Sequence, residues 1–466
     1  MKCQDIDSRA AEHGYRGSAL SSAAISCSRP TAITKMVKHS DKYVWVVGSS
    51  PPPLDPHSVV KHEIVREYLS RYVQVLMSNY VIDRLVLSIV DGFAGGGEYS
   101  GEKAGEFVPG SPQIVIDALT EQGALLNVGR EKPRTLDVRY YFVEKTRSNF
   151  EYLNTLLTLR YGVHRQGQDI ITLPGTFQKN FAGIRKDIQS RSRKHRSIFL
   201  LDQYAWDQVP GALLREIFST IEGAEVILTF AVDSLISFLS DNHKSREKMA
   251  QMGFAEYIDW TALESLRGTN GPAWRAAIQR NLANALIRTS GARHSTIFYV
   301  TPLGSTPWTY WLVHLSNNYK ARDVMMEIHW GKSNQFTHYL EPDMFTLGYS
   351  ARKDGEVTGQ DALSFGEEFQ FDKLAAQKCT SGLERKLVPW VFDKGDQAVT
   401  FRELAHHVGS NTPATEKMLK VSLDEAIRCG DILVTTKSGG QRRKGSSLEA
   451  EDQLSAPKQR SLIHLP

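Results

Sequence analysis

The chain has 466 residues, 56 Lys+Arg against 52 Asp+Glu for a formal net charge of +4, and 41% hydrophobic and 23% charged residues. This balance is ordinary for a globular protein and excludes a polycation or an acidic tail, so any basic surface must come from local clustering. Cys3, Cys27, Cys379 and Cys429 lie far apart, with no CxxC and no histidine at finger spacing. That excludes a zinc module and a disulfide scaffold and points to a reducing, cytoplasmic setting, while no apolar run approaches the ~20 residues that cross a bilayer.

In chain order, residues 1–37 are rich in Ser and Ala with no sustained period, so 1–50 are expected to be a disordered extension in which Met36 is an alternative start. Ser49-Ser50-Pro51-Pro52-Pro53 is a stiff spacer, and Asp55-Pro56 reads as a helix N-cap and first residue. Ile64, Val65, Tyr68, Leu69, Tyr72, Val73 and Leu76 recur at helical spacing, which predicts a helix over 57–79. Apolar runs at 85–90, 139–143, 198–201 and 226–231, with a weaker one near 163 ahead of Asp169, predict buried strands. Helical stretches at 146–159, 177–188 and 212–221 separate them, the signature of βαβ crossovers and a mostly parallel sheet. A polar helical insertion over 244–292 follows. Runs at 297–300 and 310–313 are then joined through Gly304-Ser305-Thr306-Pro307, too short a link for a parallel pair. A parallel sheet closed by an antiparallel hairpin is the plan of a Rossmann-like class I methyltransferase, expected here over 51–330. Residues 331–378 read as a linker. Over 379–446, a capping box at Thr400 and Glu403, a second helix from Thr412-Pro413 to Gly430, a strand at 432–436, a Gly439-Gly440 turn and Arg442-Arg443-Lys444 spell a winged helix-turn-helix, with a disordered tail at 447–466.

The strongest chemical signal is Val90-Asp91-Gly92-Phe93-Ala94-Gly95-Gly96-Gly97 at the carboxyl end of the first strand, where open α/β sheets bind ligands. Glycines let a backbone approach a ligand, although a tight turn alone would also use them. Asp91 is placed to take the α-amino group of S-adenosylmethionine, with Phe93, Ala94, Gly95 and Gly97 around it. Glu144, ending Tyr141-Phe142-Val143-Glu144, offers two acceptor oxygens to a ribose diol, and Asp169 is the candidate acceptor for the adenine amino group. The interval from the glycines to Glu144 is longer than the ~20 residues of a dinucleotide fold, and GxGxxG is absent, which counts against an NAD enzyme. Leu200-Leu201-Asp202-Gln203-Tyr204-Ala205-Trp206 places Asp202 at another strand end, with Tyr204 and Trp206 as stacking surfaces; Asp202 and Tyr204 are the candidate catalytic residues.

Asp91-Gly92-Phe93-Ala94-Gly95, the Phe-Val-Glu strand, Gly110-Ser111-Pro112, Lys61-His62 and the Leu-Asp-Gln-Tyr-Ala-Trp strand together resemble the three-Cys-motif partner family (TcmP). The resemblance covers most of 57–330. It implies a bacterial, Rossmann-type methyltransferase-like protein, S-adenosylmethionine as cofactor, and a separate three-Cys-motif protein as partner. Gln203 and Ala205 depart from the Asp-Pro-Tyr-Gly pattern that members typically show. Losing the proline restores an N–H at that turn.

Arg185-Lys186 and the run 191–196 precede the Asp202 strand, and so fall at the sheet edge opposite the glycine loop. Lys417 and Lys420 on the second C-terminal helix, with Arg442, Arg443 and Lys444 in the wing, are the candidate contacts to DNA or RNA. His314, His329 and His338 show no metal spacing. The chain therefore reads as an S-adenosylmethionine-dependent methyltransferase-like protein acting on nucleic acid. The alternative is a non-catalytic nucleic-acid- or partner-binding protein that retains the fold.

Overall fold

Pro56 pre-sets the φ of a first helical turn, and the apolar residues after it return every three or four positions, so the chain enters a long helix there. The computed structural model describes residues 43–457 apart from 102, 104, 232–233, 236–237, 240–241, 262–271, 301–309, 333–372 and 410–411. In it this helix is α1 (Pro56–Leu76), with Ile64, Tyr68, Leu69 and Val73 wholly buried. The chain continues through β1 (Arg84–Asp91), a hairpin of β2 (Glu98–Ser100) and β3 (Phe107–Pro109), α2 (Ser111–Leu125), β4 (Thr135–Glu144), α3 (Arg147–Tyr161) and β5 (Ile170–Pro174). Next come α4 (Phe177–Arg191), β6 (Ser197–Asp202), α5 (Gly211–Thr220), β7 (Ala224–Phe230), α6 (His243–Met252), α7 (Pro272–Ser290), β8 (His294–Val300), β9 (Tyr310–Ser316) and α8 (Tyr319–Gly331).

Seven of these strands form one sheet in the order β5-β4-β1-β6-β7-β9-β8. β1 pairs in parallel with β4 and β6, β4 with β5, and β6 with β7, whereas β9 runs antiparallel to both β7 and β8. Both faces are covered. Val90, Val143, Phe177, Phe199 and Leu214 pack on one side, and Leu87, Ile89, Val115, Phe142 and Met325 on the other. Burial on both faces is why the strands read as continuous apolar runs rather than alternating ones. The strand order reverses between β1 and β6, and the carboxyl ends on either side of that point border a crevice. The sheet and its terminal antiparallel hairpin match the expected plan.

Three expectations need correction. The strand placed near 163 is a short 3-10 turn (Val163–Arg165), and the strand is β5, because the apolar run that pairs with β4 begins only at Ile170. Residues 43–50, expected to be disordered, contain Trp45, which is buried: its contacts are long-range and leave no periodic trace. The tail expected from 447 onward includes β13 (Gln453–Ser455), which pairs with two other strands. Residues 1–42, including Met36, and most of the expected linker lie outside the described residues.

After the α8 segment come α9 (Lys373–Phe392), which starts inside the expected linker, β10 (Val399–Thr400), α10 (Phe401–Gly409), α11 (Glu416–Cys429), β11 (Leu433–Thr435) and β12 (Gln441–Arg442). With β13 these short strands form an antiparallel sheet in the order β10-β13-β11-β12. The capping box forms: Thr400 N–H donates to Glu403 Oε2 (2.7 Å) and Glu403 N–H to Thr400 Oγ1 (3.1 Å). Leu383, Leu387, Leu404, Val408, Leu419, Leu423 and Leu454 close a separate small core. α8 holds the start of α11 firmly. The buried Arg322 guanidinium donates to the Thr412 and Ala414 carbonyls, Trp330 Nε1 donates to the Pro413 carbonyl (2.8 Å), and Asp323 Oδ1 accepts from Glu416 N–H (2.7 Å).

Candidate functional site

β1 delivers Asp91 to its carboxyl end, and the chain then turns through the glycine loop. Gly95 (φ +58°) and Gly97 (φ +89°) adopt the left-handed conformation that side chains disfavour. Asp91 is buried. Its Oδ1 accepts from Phe93 N–H (3.1 Å) and its Oδ2 from the Ser111 hydroxyl at the start of α2 (2.6 Å). Burial pushes its pKa up to about 7; those two hydrogen bonds oppose the rise, while the charges of Asp202 and Glu144 add to it. Glu144, ending the neighbouring strand β4, is also buried and ties the loop to α3: Oε2 accepts from Gly95 N–H (3.0 Å) and Oε1 from Thr146 N–H (2.7 Å). Each of these four oxygens holds one protein donor and keeps a lone pair. This set of acceptors therefore fits a ligand that brings a cationic amine and vicinal hydroxyls as donors. Phe93 is partly buried against the core and Ala94 is buried, so both help to shape the loop.

Across the switch point, Asp202 ends β6 with its side chain 43% exposed. Lys61, buried on α1, donates from Nζ to both carboxylate oxygens at 2.8 Å. The packing around Asp202 works to raise its pKa, but the Lys61 ammonium and hydrogen bonds from Lys61 and Thr229 outweigh it and hold the carboxyl below its ordinary range. Tyr204 is exposed beside it, as a stacking surface must be, and meets Tyr43 edge-on at 6.2 Å. Trp206 does not join it: it is buried against Phe238 (5.4 Å) because the loop after β6 turns inward. Gln203 drives that turn from within, its Oε1 accepting from the Gln208 and Val209 N–H groups, both at 3.0 Å.

Asp169 is corrected outright. It precedes β5 and so lies at the amino edge of the sheet, paired with Arg165 (2.6 Å). Its neighbour Ile170 is in register with Tyr140. Asp169 is thus roughly 16 Å of strand away from Glu144. Gly175-Thr176 follows β5 at the edge where the site lies.

The nucleic-acid candidates scatter. Lys417 is exposed on α11, but Lys420 pairs with Glu416 (2.8 Å) and lies over the Phe401 ring. Arg442 is spent on Asp452 (2.8 Å) and Glu449 (3.0 Å), while Arg443 and Lys444 remain exposed. The amino end of α11 is held by α8, which covers the end a recognition helix would present to a groove. Correcting the expectation, Lys420 and Arg442 are held by their own neighbours.

Sequence reasoning missed Tyr43, Trp45 and Tyr99. Tyr43 stacks on Trp45 at 6.0 Å, and Trp45 meets Tyr99 at 5.5 Å, so an aromatic run reaches from the glycine loop to Tyr204. The available signal was two aromatic residues, two positions apart, just ahead of the proline spacer.

No protein-family model matches this chain, and no curated protein matches it in sequence. Solved structures do. A Legionella pneumophila str. Philadelphia 1 protein of the DUF519 family aligns over 60% of this chain and 93% of its own, at 11% identity and a TM-score of 0.35. Trm1 from Pyrococcus horikoshii, solved with S-adenosyl-L-methionine, aligns over 89% and 95%, at 11% identity and a TM-score of 0.29. The methyltransferase domain of a bacterial Hen1 aligns over 55% and 100%, at 11% identity and a TM-score of 0.24. At these values the likeness is remote.

Proposed function

We propose that this chain is an S-adenosylmethionine-dependent methyltransferase-like protein of the TcmP kind that acts on nucleic acid in the cytoplasm. The observation that carries the reading is the convergence of Asp91, Glu144 and Asp202, from three adjacent parallel strands, around one glycine loop at the switch point of the sheet. Asp91 would take the amino group of the cofactor, and Glu144, fixed by Gly95 and Thr146, its ribose hydroxyls. When bound, the cofactor supplies an activated methyl group. Asp202 then accepts hydrogen bonds from the acceptor nitrogen and Tyr204 stacks on its ring, so the chain's own contribution is positioning and exclusion of water. Three helices, with a short antiparallel sheet of one strand between the first two and three strands after the last, support a winged helix at the C-terminus. Lys417, Arg443 and Lys444 are exposed on it. A three-Cys-motif protein remains the partner that the resemblance implies.

One observation favours the alternative, a non-catalytic protein that retains the pocket: Lys61 already occupies both oxygens of Asp202. Calorimetry with S-adenosylmethionine and NAD tests the cofactor. Heat with the former, lost in Asp91→Ala, supports the reading, and no heat sinks it. Transfer of labelled methyl to total DNA, tRNA or protein then divides an enzyme from a binding protein.

A further inference from the structure

Three of the glycines in the loop are glycine for two different reasons. Gly95 and Gly97 have positive φ. Gly96 does not, so its backbone would suit any residue, and it is the Trp45 indole that excludes a side chain. A Cβ added to Gly96 would fall 2.2 Å from the indole Cγ, and one added to Gly95 3.2 Å from the ring edge. Trp45 is 3% exposed and fastened on three sides. The ring lies on Gly95 and Gly96, Nε1 donates to the Glu98 carbonyl (2.6 Å), and the backbone N–H donates to Asn149 Oδ1 (3.0 Å). Asn149 is itself buried, in the first turn of α3, the helix that Glu144 leads into. The indole thus clamps the loop to the strand that leaves it, while the Trp45 backbone N–H ties the same segment to the helix behind Glu144.

We propose that Trp45 is a positioning residue for the cofactor: it presses the glycine loop into the conformation in which Gly95 N–H reaches Glu144, and so sets the affinity for S-adenosylmethionine. The inference rests on the cofactor reading above. A residue held by its ring packing, its indole N–H and its backbone N–H, and withdrawn from solvent, belongs to the built site, not to a plug that a ligand displaces.

The test titrates the full chain with S-adenosylmethionine, with thermal unfolding of the ligand-free protein in parallel. Trp45→Phe keeps a ring on the loop but loses the bond to Glu98, and is expected to unfold cooperatively and bind a few-fold more weakly. Trp45→Ala is expected to bind about tenfold more weakly or worse. Gly96→Ala is expected to weaken binding in the natural background, yet to add no further loss to Trp45→Ala, because the indole it would strike is gone. Tryptophan emission is expected to change with cofactor in the natural protein, with that change reduced in Trp45→Phe. A natural chain that gives no heat removes the cofactor reading and this proposal with it. A natural chain that binds, beside folded Trp45 variants that bind equally well or more tightly, overturns this proposal and leaves the cofactor reading standing.

Discussion

Lys61 Nζ lies 2.8 Å from both carboxylate oxygens of Asp202, a contact between α1 and the end of β6 that spans 141 residues of chain. The lysine is buried and the aspartate is partly exposed, so the charge offered at the crevice is braced from behind by a buried ammonium. Such a carboxylate stays ionised and holds one orientation. It is suited to accepting hydrogen bonds and poorly suited to taking a proton.

Replacing Lys61 by Met leaves Asp202 without its counter-charge. A fully buried pair broken in this way loses ~3–5 kcal/mol, and the exposure of Asp202 discounts that to about 1–2 kcal/mol. Denaturant unfolding should show this loss for Lys61→Met and a smaller one for the Lys61→Met/Asp202→Asn pair, which removes both charges.

Asp91 titrates near pH 7 because it is buried. Its folded pKa lies above the unfolded value, so its ionisation opposes folding. Stability should therefore fall as pH rises from about 4 through about 7, with no further loss above that. A cationic amine favours the ionised form, so affinity for S-adenosylmethionine should rise over the upper part of the same interval. Calorimetric titrations between pH 6 and 8 should give a slope for the natural chain and a flat response for Asp91→Asn.

His294, at the start of β8, has the opposite sign. Burial lowers its pKa to about 4; the facing His406, then Arg322, Arg293 and His314, push the same way, with Tyr319 packed against its ring. The His294 and His406 rings lie 4.6 Å apart where the sheet domain meets α10. The folded state resists the proton that the unfolded chain accepts, so stability should be intact above pH 6.5 and fall as pH drops toward 4. His294→Phe should flatten that acid limb, measured as melting temperature against pH.

Arg322 is wholly buried, and its guanidinium meets the Thr412 and Ala414 carbonyls. Arg322→Met leaves those carbonyls without their donor and should cost about 2–4 kcal/mol. Limited proteolysis should then cut near residues 412–416, where the natural chain is expected to resist. Unchanged cleavage would show that the small domain is held by other contacts.

The sheet and the three carboxylates at its edge were readable because their signals are local. Continuous apolar runs mark strands buried on both faces, a short link forces an antiparallel hairpin, and an acid closing such a run falls at the ligand edge. Asp91, Glu144 and Asp202 all met that condition. Asp169 failed it through the same rule: it comes before its strand rather than after, and setting the strand a few residues early moved the acid to the wrong edge.

The sequence by itself determined the parallel sheet with its terminal hairpin, the glycine loop at the end of β1 and the capped C-terminal helices, since periodicity, caps and glycine backbone freedom act within a few residues. Only the tertiary structure decided what backs and covers the site. Lys61 reaches Asp202, Trp45 reaches Asn149 across 104 residues, and Arg322 reaches the approach to α11 across about 90. Such contacts form only when burial of distant apolar faces brings their elements together, and no local pattern records which polar or aromatic side chain will meet which.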